Sequence, residues 1–432
     1  MLKFFNANQK NFSRKLELIL NFRKQKQKNK SFIVKKILFD VRNQGDKALI
    51  KYEKKFSKIK SKQKKIKFSK EEINNISKKV SKNLKRSIDI AYTRIKKFHI
   101  KQKKTSFTYK DKYNNELSYR YSSIDRVGVY VPGGTASYPS TVLMNCIPAL
   151  VAGVRNIYLT TPSLGSLVNP AIIYAAKKCG VKEIYKTGGA HSIAAFTYGT
   201  KTFKKVDKIV GPGNMYVASA KKEVYGEVGI DMIAGPSEVS IIADKNSNPD
   251  WIASDLIAQA EHDTFSQSIL ITNSVDLIKS VNLSLKLQLK NLPKKQIASK
   301  SLKNFGLAVY TNKISNIIDV VNIIAPEHLE INFKNYAKLI KNIRNVGSIF
   351  IGKFSPEAMG DYIAGPNHVL PTSGSAKFAS GLSVNDFLKR HSLIKITKSG
   401  IERLGPSVIN LAQHENLEGH ANSIKLRLKK DI

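Results

Sequence analysis

RVGVYVPGGTASYPSTVLMNCIPALVAGV, residues 126–154, sets a run of strand formers against a glycine-rich turn and then a long apolar stretch. RVGVYVP reads as a buried strand, GGTASYPS as a turn and STVLMNCIPALVAGV as a helix. The unit then recurs. Strands NIYLTT, EIYKTGG and KVDKIVG alternate with helices NPAIIYAAKKCG, AHSIAAFTYG and NMYVASAKKEVYG. Alternation at this interval predicts right-handed crossovers and a parallel sheet with helices on both faces. A second, less regular α/β stretch follows, with strands at EVSIIAD, QSILIT, LAVYT and SIFIG.

Upstream, residues 1–118 read as helical. SFIVKKILFDVRNQG stops at Gly45, and DKALIKYEKKF opens with Asp46, a carboxylate suited to a helix N-terminus. Ser69 and Glu72 form a capping-box pair, and one helix is expected to follow, carrying Ile73, Ile76, Val80, Leu84, Ile88, Ala91, Ile95 and Phe98 on its apolar face. The expected organisation is a helical region 1–118 packed on the second α/β unit, a first α/β unit 119–237, a second 238–381, and a small helical tail 382–432. The tail is too small for a core of its own and must dock elsewhere.

Composition narrows the function. The chain has 432 residues and 42% hydrophobic content, enough for full cores. Its longest apolar candidate, residues 140–154, is interrupted by Asn145 and too short to span a membrane. The start, MLKFFNANQKNF, lacks the apolar core and cleavage site of a secretory signal, so a cytoplasmic protein is expected. Lys and Arg number 73 against 32 Asp and Glu, a formal charge of +41. The excess lies on Lys, which accompanies abundant Asn, Ile and Phe as an A/T-rich coding bias would have it. The lysines are not interleaved with aromatic stacking residues, and a nucleic-acid partner is not expected. Two cysteines, Cys146 and Cys179, are too few for a disulfide framework and read as buried thiols. A catalytic thiolate is the alternative, and it would need a cation or a helix N-terminus held against the sulfur.

Four islands combine histidine with carboxylate or amide groups. Gln259 and His262, in WIASDLIAQAEHDTF, stand three apart, which places them on one helical face at ligand spacing. In APEHLEI, Glu327 and His328 follow Pro326 and fit the first turn of a helix. EAMGDYIAGPNHVLPTSG puts Asp361 and His368 in a loop rich in Gly and Pro; LAQHENLEGHANS carries His414, Glu415 and His420 in the tail. Each alone has a plain structural reading, and a shared site makes all four necessary. The turns VPGGTAS and VGPGNMY could cradle a pyrophosphate, although neither is the G-x-G-x-x-G fingerprint and both could be simple tight turns.

Taken together and in order, DVRNQGDKAL, RVGVYVPGGTASYPSTVLM, VGPGN, IDMIAGPSEV, AQAEHD, APEHLEI and GDYIAGPNHVLPTSG, with the tail histidine, resemble the histidinol dehydrogenase family over nearly the whole chain. The resemblance implies a pair of incomplete Rossmann-like domains and an NAD-dependent, four-electron oxidation of L-histidinol through the aldehyde to L-histidine, the last step of histidine biosynthesis. It implies one zinc per subunit, held by Gln259, His262, Asp361 and His420, with His420 supplied by the other subunit of a homodimer. Nitrogen and oxygen donors suit zinc, and a harder divalent metal stays open. By family position, His328 is the acid–base residue and Glu327 activates water. Ser237, His368 and Glu415, with His328 and the metal ligands, match substrate contacts; Tyr130, His191 and Asn214 match NAD contacts. The chain departs from the family in GGAHSIAAF, where His191 replaces the usual Gln. His is shorter and titratable, which puts the NAD contact in question. Two other classes stay open: an aldehyde dehydrogenase acting through a cysteine, and a metal-stabilised nucleic-acid-binding protein.

Overall fold

The computed structural model describes residues 1–26, 31–56, 66–133, 138–163, 168–334, 336–429. The sequence expected at 126–130 is strand β4 (Arg126–Tyr130), the centre of an all-parallel sheet. Its partners are β5 (Asn156–Thr160), β6 (Glu183–Tyr185), β7 (Lys208–Val210) and β8 (Gly229–Ile230), in the order β6-β5-β4-β7-β8. The helix at Pro139–Ala152 is buried along almost its whole length, which explains its unbroken apolar sequence. Part of the glycine turn, residues 134–137, lies outside the described residues.

A second all-parallel sheet carries β9 (Glu238–Ala243), β10 (Gln267–Thr272), β11 (Leu307–Tyr310), β12 (His328–Asn332) and β13 (Ser348–Ile351). β9 and β10 are buried at every residue, as strands covered on both faces must be. The sixth strand is β1 (Lys3–Asn6), which pairs in parallel with β11 at the edge. The expectation of two parallel α/β units holds.

The N-terminal region departs from expectation in three ways. It is not wholly helical: besides β1, it contributes β2 (Phe107–Lys110) and the start of β3 (Glu116–Ser123) to an antiparallel sheet with β14 (Leu388–Lys395) from the tail. These strands are half-exposed and polar, so no clean alternation marks them. The stretch after Ser69 is two helices, Lys70–Lys78 and Lys82–Ile100, because Ser81 caps a new start by accepting from the Leu84 amide. Leu84 and Phe98 are exposed, whereas Ile88, Ala91 and Ile95 are buried. Lastly, the helices pack mainly on the first sheet and not the second. Val34, Ile37, Val41, Leu49 and Tyr52 join the core with Ile193, Phe196 and Ile209, whereas β1 and the first helix, through Leu2, Ala7, Leu16 and Leu20, pack on the six-stranded sheet.

The tail docks on its own chain through β14. Before it, Leu382, Val384 and Phe387 are buried in the core with Val127 and Val129. Beyond it, helices Lys398–His414 and Glu418–Leu428 present mostly exposed residues. Cys146 and Cys179 are both buried; the contact with Cys179 and then burial push the Cys146 thiol up, so Cys146 is not a ready nucleophile. Among the described residues, no helix is long and apolar enough to cross a membrane.

Candidate active site

The helix Ile314–Ile324 ends at Ala325 in a left-handed conformation, and Pro326 prevents its continuation. Pro326 therefore closes one helix instead of opening another. His328 opens strand β12 and Glu327 directly precedes it, so neither lies in the first turn of a helix, as the sequence had suggested. Neighbours on a strand point to opposite faces, and here the segment before and into β9 holds both. The Glu238 amide donates to Glu327 Oε2 at 3.0 Å, and His328 Nδ1 lies 3.1 Å from the Glu238 carbonyl oxygen.

That carbonyl fixes the tautomer. Nδ1 must carry the proton to donate it, leaving the lone pair on Nε2. Nε2 is buried without a hydrogen-bond partner among the described residues, and it faces Asp361 Oδ1 at 3.8 Å. Burial lowers the His328 pKa to about 4, against the opposing pull of Asp361, so the ring is neutral near pH 7. Glu327 is driven well above the usual carboxylate range, first by burial and next by the charge of Glu238.

Gln259 is on the last turn of the helix Pro249–Ala260, whereas His262 lies just beyond its end. The expectation that one helical face presents both is corrected: Gln259 is buried, and His262 is exposed in the turn that follows. They still serve one region, because the charge of a protonated His262 lowers both His328 and His368. Asp361, on the helix Glu357–Tyr362, sits between these histidines: its Oδ1 is 3.9 Å from His368 Nδ1, which donates to the Asp361 carbonyl oxygen at 2.8 Å.

Glu357 belongs to the same site and escaped the sequence reading. Its carboxylate oxygens lie 2.7 and 3.2 Å from the Gln259 amide nitrogen when that amide is turned to donate, and Oε1 is 3.5 Å from His328 Nδ1. Ligand atoms of His328, Glu357 and Asp361 all lie within 4.8 Å of one another. The signal was present: Glu357 and Asp361 are four apart and share a helix face.

A buried acid pair supports this floor. Glu330 on β12 accepts from the Glu357 amide at 2.7 Å, and burial, then the neighbouring Asp255, pushes its pKa up to about 9; burial raises Asp255 to about 6. The folded state keeps the Glu330 proton where the unfolded chain has released it. The resulting stabilisation is complete below the ordinary value of 4.5 and is lost as pH climbs toward 9. Glu330→Gln is therefore expected to raise the denaturation midpoint relative to wild type more at alkaline pH than near pH 5. Equal differences at both pH values would contradict it.

Tyr130, His191 and Asn214 lie at or after the carboxyl ends of strands of the five-stranded sheet, where open α/β sheets bind ligands. Tyr130 is buried and accepts from the Gly189 amide at 3.2 Å. Asn214 is exposed and caps the helix Met215–Val224 by accepting from the Tyr216 and Val217 amides. His191 is only 2% exposed; its Nε2 is 2.9 Å from Glu53 Oε2, and Glu53 also accepts from the Thr187 hydroxyl. Through Glu53, which also accepts from the Gly188 amide at 3.4 Å, it supports the turn Thr187–Gly189 that opens its own helix. The first unit reaches the second here: Tyr138, at the start of the Pro139–Ala152 helix, feels the charge of Glu261 beside His262.

Ser237 directly precedes β9 and is half-buried beside these groups. Glu415 and His420 are different. Both are exposed, Glu415 in the turn after the helix Lys398–His414 and His420 on the helix Glu418–Leu428, and neither has a hydrogen bond or ion pair to the cluster formed by Gln259, His328, Glu357 and Asp361 among the described residues.

A family model described as histidinol dehydrogenase matches residues 20–428. The chain belongs to the histidinol dehydrogenase family. It is 53% identical to the histidinol dehydrogenase of Pelagibacter ubique over the whole of both chains, and 48% identical to that of Clostridium acetobutylicum over 92% of each. The crystal structure of histidinol dehydrogenase from Elizabethkingia anophelis superposes with a TM-score of 0.89, at 41% identity, covering 93% of this chain and 92% of that one. Family membership makes the chain an oxidoreductase of histidine biosynthesis.

Proposed function

We propose that this member of the histidinol dehydrogenase family oxidises L-histidinol through L-histidinaldehyde to L-histidine, passing one hydride to NAD in each of two steps. The observation that carries this reading is the buried, neutral His328, whose bare Nε2 opens onto Asp361 and the Gln259–Glu357 pair. His328 takes the alcohol proton at Nε2 as the hydride leaves. Water then adds to the aldehyde, with Glu327 accepting its proton, and the hydrate loses the second hydride and becomes the acid. One water and two NAD are consumed, and two NADH and three protons are released. His368 and Ser237 line the substrate side. Tyr130 and Asn214, with His191 through the turn it supports, form the NAD side.

The donor set fits a divalent cation. Gln259 and Asp361 offer oxygen, His262 offers nitrogen, and the orphaned Nε2 of His328 marks a buried polar space beside them. Gln259, His262, Asp361 and His420 would hold zinc, which supplies positive charge to anchor the substrate's imidazole and amine and draws nearby carboxyls toward their ionised forms. Within one chain His420 and Glu415 stay exposed, and Leu404, Val408, Leu411 and Leu417 add exposed apolar surface to the same two helices. That supports a homodimer in which the tail completes the partner's site. A cytoplasmic setting accords with this chemistry.

Chelation is expected to abolish oxidation of L-histidinol, and added zinc to restore it; full activity in metal-free protein would overturn the anchoring role. Mixing inactive His328→Ala and His420→Ala proteins under subunit exchange is expected to recover about a quarter of wild-type activity, since about half the dimers are mixed and each has one intact site. No recovery from demonstrably mixed dimers would contradict shared sites.

A further inference from the structure

Arg23, on the helix Phe12–Lys26, is 3% exposed and lies more than two hundred residues before the segments it binds. All five of its N–H donors are engaged. Nε donates to the Phe265 carbonyl at 2.8 Å, and one terminal nitrogen to the Glu238 carboxylate and to Gln267 Oε1. The other donates to the carbonyls of Pro236 at 2.6 Å and Ser237 at 3.3 Å. A guanidinium is the one side chain that can satisfy this planar set; lysine has three donors and no fork.

The segment so fixed carries the site. Ser237 belongs to it, the Glu238 amide holds Glu327, and the Glu238 carbonyl sets the tautomer and direction of His328. The guanidinium also neutralises a buried carboxylate that would otherwise stand unpaired beside Glu327.

We infer that Arg23 is a positioning residue for both oxidation steps: by clamping Pro236–Glu238 it aims His328 and Glu327 through the main chain of Glu238. The inference rests on the proposed oxidation of L-histidinol. Its consequence is kinetic. Loosening the clamp displaces both side chains, and Ser237 with them, without removing any group that touches substrate, so kcat falls far more than KM rises.

Two variants test it. Arg23→Lys keeps the charge and loses the fork. The double variant Arg23→Met/Glu238→Gln removes both charges, avoiding a buried unpaired carboxylate. In folded, zinc-loaded protein, kcat for L-histidinol is expected to fall on the order of 10²-fold, the loss that a displacement of about an ångström brings, while KM stays within about threefold. Wild-type kcat in either folded variant overturns the inference, as does a failure of Arg23→Lys to fold, which would make Arg23 a scaffold residue alone. Wild-type protein that does not oxidise L-histidinol would instead overturn the functional reading, a result read before any variant is made.

Discussion

His328→Asn is expected to lower kcat for L-histidinol on the order of 10²–10⁴-fold while the protein stays folded. Asparagine is the informative substitute because its amide N–H can occupy the place of Nδ1 and still donate to the Glu238 carbonyl. What it lacks is Nε2, the atom that lies bare toward Asp361. Glu327→Gln separates the steps. It retains an acceptor for the Glu238 amide but no base for water, so the aldehyde is still formed and its oxidation slows. The expected product ratio is one NADH per histidinol consumed in the first turnover, with the aldehyde detectable by trapping. A Glu327→Gln enzyme that still forms histidine at the wild-type rate would contradict the assignment, as would a His328→Asn enzyme of undiminished kcat.

Gly211→Ala is expected to be among the most destabilising single substitutions in the chain. Gly211 has φ +112°, and a Cβ built there would lie 2.1 Å from the Tyr130 carbonyl oxygen, a backbone atom at the end of β4 that cannot swing away. Lys221 and Asp231 close the other side of the turn: Lys221 Nζ donates to the Gly211 carbonyl, and the Gly211 amide to Asp231. Steric overlap and backbone strain together cost about 2–6 kcal/mol. Gly180→Ala is the control, because Gly180 also has positive φ, at +63°, but nothing within 4 Å of the added carbon. Its expected cost is about 1–2 kcal/mol. Equal denaturation midpoints for the two variants would show that the close approach to Tyr130 carries no energy.

The parallel sheets were legible because their strands are buried on both faces and read as continuous apolar runs, as in EVSIIA and QSILIT. The antiparallel sheet was not, because strands such as ELSYRYSS are half-exposed and pair across some 270 residues of chain. Local periodicity also merged two helices at Val80, whose burial continued the apolar pattern through a Ser81 cap. At the site, residue types were readable and their settings were not. Pro326 looked like a helix start and is a helix stop, which placed His328 at the head of a strand and Glu327 just before it. Gln259 and His262 were legible as a pair, but the helix ends between them. Glu357 and Arg23 went unseen for a common reason. What they touch, Gln259 and the Pro236–Glu238 segment, is recorded by no spacing in the chain, and for Glu357 only its spacing of four from Asp361 gave a hint.

The most direct measurement is the stoichiometry of NADH to L-histidine formed from L-histidinol by zinc-loaded protein. The account requires two NADH for each L-histidine, with no free aldehyde accumulating. One NADH per L-histidinol with the aldehyde as final product, or no NADH at all from folded protein supplied with zinc, would contradict it.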